Sequence, residues 1–318
     1  MDGRKTEASG EDIFGPSAVP PSVLPAAGWA DLADLLQAAR GDQSVYVVGP
    51  PDTGKTTFCR FLAARLSQGE AAACVDCDPG QAWIGPPSTV GLGLYRPQGP
   101  TTAALRFVGS TSPAGHLLQT LTGIRRLADK AAGAGARRIV FDSCGLCLGA
   151  LGEEFQFQTV DLLQPNHLVA IQKGDELEGL LRTFVRRPGL RIHRLAPSPA
   201  VSARTAEQRL AYRTRRLREH FADAVSQEVS LGAVGLHGRV PDFGDPAACR
   251  GRLIALCDET AFVLAVGIAE TLDPAEGRLR FLAPSVALER VGTVQFGSLR
   301  CLPTGAHDDP LCGVRVSP

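Results

Sequence analysis

With 318 residues, 44% hydrophobic and 21% charged, the chain has ordinary globular composition, which excludes a largely disordered or fibrous protein and allows one large domain or two modest ones. Formal charge is zero, so the whole molecule is not drawn to polyanions. The charge is unevenly spread, however: eleven arginines accompany only Glu207 and Glu219 between Arg182 and Glu219, and the first 43 residues are net acidic. Such a segment is either a solvated helix or a local surface for anions.

Residues 1–27 are rich in Pro, Gly, Ser and acids and read as an extended lead-in. The start is acidic where a secretory signal would be basic and then apolar, and no apolar run approaches the roughly 20 residues of a membrane span, so the expected location is the cytoplasm. The nine cysteines are scattered, which suits reduced thiols better than a disulfide framework. A short helix with Trp29, Leu32, Leu35 and Leu36 on one face closes a first segment, 1–43.

From there strands and helices alternate. Ser44 to Val48 is a buried strand, Lys55 to Leu66 a helix with Phe58, Phe61, Leu62 and Leu66 at helical spacing, and Ala71 to Val75 a second strand. A longer helix begins near Ser112-Pro113, with Leu117, Leu118, Leu121, Ile124 and Leu127 as its apolar face, and Gly133 and Gly135 end it. Arg138 to Phe141 and His167 to Ile171 are further strands. The pattern predicts an α/β fold over 44–203, a mainly parallel sheet flanked by helices. An arginine-rich helix with a narrow stripe (Leu210, Leu217, Phe221, Val225) follows over 204–225, and short apolar runs punctuated by Gly, Pro and Asp predict a small β-rich domain over 226–318.

Residues 49–56 read GPPDTGKT, the G-x-x-x-x-G-K-T phosphate loop, after a predicted strand and opening a predicted helix. Gly49, Pro50, Asp52, Thr53, Gly54, Lys55 and Thr56 are therefore expected to cradle the phosphates of ATP, with Lys55 reaching the outer phosphates and the Thr56 hydroxyl available to Mg²⁺. The next strand ends CVDCDPGQ, which puts Asp76 and Asp78 on one side of an extended segment. A second carboxylate there can orient or deprotonate a hydroxyl nucleophile, or it can simply start the Asp-Pro turn. Two Cys-x-x-Cys pairs, Cys74/Cys77 and Cys144/Cys147, read as core residues rather than as a zinc or redox site, because alternate strand positions face opposite ways. The six histidines show no metal-binding spacing.

Together GPPDTGKTT, VDCDPGQ followed by GPPSTVGL, FVGSTSPAGH, VFDSCGL and YRTRRLREHF resemble the polynucleotide 5′-hydroxyl kinase family that includes the kinase subunit of the pre-mRNA cleavage machinery and its ribosomal-RNA-processing relatives. The resemblance covers about residues 44–225. It implies transfer of the γ-phosphate of ATP to the 5′-hydroxyl end of RNA or DNA. On that basis Lys55 and Thr56 hold phosphate and metal with support from Thr57, Asp76 acts at the Mg²⁺ or supports its ligands from behind, Asp78 is the base or orienter, and Gln81 holds metal water or substrate. The same resemblance makes Ser112 and Pro113 the grip on the nucleic acid backbone, with His116 where many relatives carry an amide. It matches Asp142-Ser143-Cys144-Gly145 to an Asn-Thr-x-Gly segment, which adds Ser143 and Gly145 to the substrate residues. Arg209, Arg213 and Arg216 share a helical face and resemble a lid that supplies transition-state charge, with Arg213 and Arg216 as the catalytic pair. The alternatives are an ATP-bound interaction subunit with little transfer, and a kinase for a small hydroxyl compound or an ATPase with no acceptor. The second gains from an aromatic content of only 6%, since stacking platforms for bases use such side chains; Trp83 and Tyr95 are the nearest candidates.

Overall fold

The computed structural model describes residues 28–96, 99–242, 245–301 and 314–316; the lead-in expected over 1–27 lies outside the described residues. The first sheet contains β1 (Gln43–Val48), β2 (Ala72–Asp76), β3 (Thr89–Arg96), β4 (Gly99–Phe107), β5 (Arg138–Asp142), β6 (His167–Ile171) and β7 (Arg191–Leu195), in the order β4-β3-β2-β5-β1-β6-β7. From β2 to β7 the pairing is parallel. Strands such as β2 and β6 are buried along their whole length because helices cover both faces. The hairpin β3–β4, which periodicity did not anticipate, adds an antiparallel edge. In register, Val47 lies opposite Asp142 and Asp142 opposite Asp76, so the ends of β1, β5 and β2 meet at one edge.

Alternation along the strands divides the core. Val45 and Val47 face α1 (Trp29–Ala38) and α2 (Lys55–Leu66), while Tyr46 and Val48 face α3 (Leu117–Gly133), α4 (Gly149–Leu163) and α5 (Glu178–Arg182). On α2, Phe58, Leu62 and Leu66 are fully or nearly fully buried, each contributing roughly 1.5–3 kcal/mol by burial. The Trp29 ring meets Phe58 edge-on at 5.1 Å. Leu35 and Leu118, expected on apolar faces, are instead exposed; a helical stripe in sequence fixes its centre better than its flanks. The third helix also starts later than expected, at Leu117, because Ser112 Oγ accepts from the Ala114 amide and residues 110–116 form a separate loop.

Helix α6 (Ala206–His220) opens on a capping box: Thr205 Oγ1 accepts from the Gln208 amide at 3.1 Å and Gln208 Oε1 from the Thr205 amide at 2.8 Å. It is shorter than the 204–225 expected, since Val225 already begins β8 (Val225–Ser230). Leu210 and Val225 are exposed, whereas Leu217 and Phe221 are buried.

The second sheet holds β8, β9 (Gly235–Gly238), β10 (Arg252–Cys257), β11 (Val263–Asp273), β12 (Arg278–Ala283), β13 (Thr293–Cys301) and β14 (Val314–Val316), in the order β14-β13-β10-β11-β12-β8, with β9 parallel to β13. One face packs Leu217 and Phe221 of α6 and Phe107 of β4 against Leu253, Val266 and Leu299. Gly109 and Gly297 touch backbone to backbone: a Cβ on Gly109, whose φ is +74°, would lie 2.7 Å from Gly297 Cα. Ser298 donates from its amide (2.8 Å) and its Oγ (3.0 Å) to Gly109 O. The second sheet thus braces both α6 and the loop that follows β4. No helix among the described residues is long and apolar enough to cross a membrane.

Candidate active site

The phosphate loop turns sharply between β1 and α2. Gly49 is required there because a Cβ would lie 2.6 Å from Ile171 O. Thr53 Oγ1 and Lys55 Nζ both donate to Pro50 O, at 2.9 and 2.8 Å, which tightens the loop into a ring. Gly54 is the N-cap of α2 and offers no capping side chain, so the first amides of the helix are free for an anion.

Two carboxylates end neighbouring strands, and their surroundings differ. Asp76 is buried and satisfied by backbone: Oδ1 accepts from the Asp78 amide (3.1 Å), and Oδ2 from the amides of Trp83 (2.7 Å) and Ile84 (3.0 Å). It pins the 77–84 loop. Burial, followed by the nearby Asp142 charge, pushes its carboxyl well above the usual range against the pull of those amides. Asp142 Oδ2 accepts from Trp83 Nε1 at 3.1 Å, but its Oδ1 is buried without a hydrogen-bond partner. Burial raises this carboxyl too, while the Thr56 hydroxyl and then the Lys55 ammonium pull it down. An orphaned carboxylate oxygen beside the Thr56 hydroxyl fits a hydrated Mg²⁺, which takes one or two protein oxygens and shares the rest of its octahedron with water and phosphate. Among the described residues no three or more His, Cys, Asp or Glu converge on a metal site, so an all-protein cage is not what these residues form.

Asp78, half-buried, accepts at Oδ1 from the amides of Gly80 (2.8 Å) and Gln81 (3.0 Å). The turn and the carboxylate position are therefore the same feature. Asp78 lines a cavity of about 790 Å³ together with the phosphate loop, Gln81, Ser112, Pro113, Ser143 and Gly145. The lining is completed by α6 and the segment before it. Arg204 and Arg209 both bind Asp52, Tyr212 OH donates to Ala82 O at 3.0 Å, and Arg213 faces the cavity with a buried Nε that has no acceptor. Asp52 itself sits at φ 55°. Burial opposes its ionisation, but the Arg204 amide and guanidinium and then Arg209 hold its pKa below the usual value.

Of the residues singled out in the sequence, the structure gathers Asp52 to Thr57, Asp78, Gln81, Ser112, Pro113, Ser143, Gly145, Arg209 and Arg213 around this one cavity. Gly49 and Pro50 shape the loop behind it, and Asp76 lies beneath it. Arg216 does not line the cavity: its Nη2 donates to Trp83 O (3.3 Å) and Gly85 O (2.8 Å), clamping α6 to the 83–85 segment. Sequence reasoning passed over the buried carboxylate of Asp142 and over Arg60, Thr111, Arg204 and Tyr212 as lining residues. For Asp142 a signal existed, since RIVFD is an apolar strand ending in an acid just as AACVD is. Trp83 lines the cavity, with Arg60 5.4 Å from its ring centre, whereas Tyr95 is buried elsewhere. Cys74 belongs to the core on the α2 side, and Cys77, Cys144 and Cys147 to the opposite one, as core residues on a pleated strand and its loop.

The chain is similar to a polyribonucleotide 5′-hydroxyl-kinase of Thermococcus kodakarensis, 26% identical over 82% of this chain and 89% of that protein. It is also similar to one of Methanocaldococcus jannaschii, 24% identical over 80% and 86%. A polynucleotide 5′-hydroxyl-kinase GRC3 of Yarrowia lipolytica matches at 26% identity over 56% of this chain and 30% of its own length. The solved structure of Clp1p in its complex with Pcf11p superposes with a TM-score of 0.68 at 15% identity, over 86% of this chain and 78% of that one, so the fold is shared. A family described as the mRNA cleavage and polyadenylation factor CLP1 P-loop matches residues 49–223, more than half of the chain, and the protein belongs to that family.

Proposed function

We propose that the chain is an ATP-dependent polynucleotide 5′-hydroxyl kinase. The observation that carries this reading is that one cavity is lined both by the phosphate loop with Arg209 and Arg213 of α6 and by Asp78, Ser112, Pro113 and Ser143. The first set suits the phosphates of ATP, and the second offers a carboxylate and polar groups to an acceptor hydroxyl, which an ATPase does not need. The names of the archaeal relatives, which align over most of their length, support a polynucleotide as acceptor.

In this mechanism the α2 amides and Lys55 bind the β- and γ-phosphates, and Thr56 with Asp142 would hold Mg²⁺, which neutralises phosphate charge when bound. Asp78 orients the terminal 5′-hydroxyl and accepts its proton as the oxygen bonds to the γ-phosphorus. The bond from that phosphorus to the bridging oxygen of ADP breaks, and Arg209 and Arg213 stabilise the charge that develops. Asp76 fixes the loop that carries Asp78 and Trp83. Of the two roles the resemblance allows Asp76, contact with Mg²⁺ or support behind it, the three amides bonded to its oxygens favour the second and leave the metal to Asp142.

The test is label transfer from γ-labelled ATP to RNA and DNA oligonucleotides with free 5′-hydroxyls, with Lys55→Ala and Asp78→Asn as controls. Transfer that both variants abolish supports the kinase. Tight ATP binding with neither polymer labelled refutes it and leaves the interaction-subunit or small-acceptor reading.

A further inference from the structure

A second concentration of cations lies on the second sheet, outside the cavity described above. Arg252 on β10 and Arg300 on β13 are direct cross-strand partners, an arrangement that like charges disfavour. Arg239 follows β9, and its amide donates to Phe296 O on β13 at 2.9 Å. The three arginines line one cavity of about 580 Å³ with Asp242, Ala248 and Ser298, a formal lining charge of about +2 at neutral pH.

Two of the guanidiniums are held rather than loose, and Arg239 is exposed beside them. Arg252 Nη1 donates to Gly297 O at 3.1 Å, and Arg300 donates to Arg250 O at 3.2 Å and Ala248 O at 2.6 Å. Carbonyls position them but neutralise nothing, and Arg252 Nε is buried with no acceptor. Burial, and then the Arg300 and Arg239 charges, lower the Arg252 pKa, so an anion in the pocket would relieve the repulsion. Preorganised arginines of this kind favour phosphate, whose oxygens match the guanidinium fork.

The pocket also has an address. Ser298, in its wall, donates twice to Gly109 O, and two residues further Thr111 lines the active-site cavity beside Ser112 and Pro113. Two residues span at most about 7 Å. We infer that the Arg239/Arg252/Arg300 pocket binds a backbone phosphate of the polynucleotide, a few nucleotides away from the 5′ end that lies in the active-site cavity. This rests on the kinase reading for the identity of its ligand.

The test compares the wild-type chain with Arg239→Gln and Arg239→Gln/Arg252→Gln, using a 5′-hydroxyl dinucleotide and a 20-nucleotide oligomer. The double variant should weaken binding of the oligomer about tenfold at 0.1 M salt and reduce the slope of log Kd against log salt by about 0.7, the share of one phosphate, with kcat and the dinucleotide KM unchanged. Arg239 is exposed, so the single variant keeps the test valid if the double variant folds poorly; its slope should fall in the same direction by a smaller amount. Equal effects on both lengths, or none on either, overturn the inference. A pocket that only takes free anions overturns it too: inorganic phosphate would then raise the wild-type Tm but not the double variant's, with no dependence on oligomer length. Fluorescence anisotropy of the labelled oligomer reads Kd without turnover. Length-dependent binding without phosphorylation would therefore refute the kinase and keep the pocket, and phosphorylation without length-dependent binding would do the reverse.

Discussion

Arg209 Nη2 donates to Asp52 Oδ2 at 2.5 Å, joining α6 to the phosphate loop across 157 positions of sequence. Arg204 binds the same carboxylate with its amide (3.0 Å) and its Nε (3.1 Å). The other end of α6 is fixed in the second sheet through Leu217 and Phe221. The first turns of the helix are therefore latched to the phosphate loop through one acid, while Tyr212 and Arg216 tie its later turns to the 82–85 segment. Asp52→Asn retains a residue that tolerates φ 55° but removes the charge. It should weaken the latch by about 1 kcal/mol and raise hydrogen exchange in residues 205–213 while leaving 217–221 protected. Uniform exchange along α6 would contradict this.

Arg213 and Arg216 are three residues apart and should fail differently. Arg213→Ala removes a cation that faces the cavity and should lower kcat on the order of 10³-fold with little change in Tm. Arg216→Ala leaves Trp83 O and Gly85 O without their donor and should destabilise the protein by about 1–3 kcal/mol, with a smaller loss of kcat. Paired thermal melts and transfer rates distinguish the two outcomes.

Asp142 and Asp76 give a second contrast. Asp142→Asn should raise the Mg²⁺ concentration for half-maximal transfer by about 10- to 100-fold. Asp76→Asn substitutes an amide for an oxygen bonded to backbone amides, so its main effect should be a stability loss of about 1–3 kcal/mol. A Mg²⁺ titration of each variant decides; the reverse pattern would return the metal to Asp76.

Far from the cavity, His167 Nδ1 is 2.9 Å from His193 Nε2 and His167 Nε2 is 3.1 Å from Gln43 Oε1. With Gln43 as acceptor, His193 donates to an unprotonated His167 Nδ1, and further protonation breaks that bond. Burial, then the His193 and Arg191 charges, push the His167 pKa down to about 4. Between the unfolded value near 6.5 and pH 4 the unfolded chain binds more protons, so stability present above pH 6.5 is lost as pH falls, by roughly 2–3 kcal/mol. Urea melts at pH 7 and 4.5 should show His167→Gln losing less stability than wild type over this interval. Parallel losses would assign the acid sensitivity to other groups.

The phosphate loop and α2 were legible because glycine positions and a helical stripe are local signals. The β3–β4 hairpin was not, since TVGLGLYR interrupts alternation with Gly91 and Gly93. Asp142 shows a deeper limit. Its strand and β2 look alike in sequence, and the one that adjoins β1 is decided by crossover connections, which leave no local mark. Arg204 is unremarkable in sequence, and only the path of the chain past Asp52 gives it a partner. His167 and His193 are likewise brought together by the parallel pairing of β6 and β7.

The backbone contact between Gly109 and Gly297 binds two remote stretches to a common fate. A side chain at either position would push the loop after β4 away from β13, shifting Ser112 and Pro113 at one end and the Ser298 wall of the arginine pocket at the other. The two glycines should therefore vary together among descendants of this sequence, if they vary at all. A chain shortened just before β8 would leave Phe107, Leu217 and Phe221 facing water, and with them the floor beneath the helix that closes the cavity.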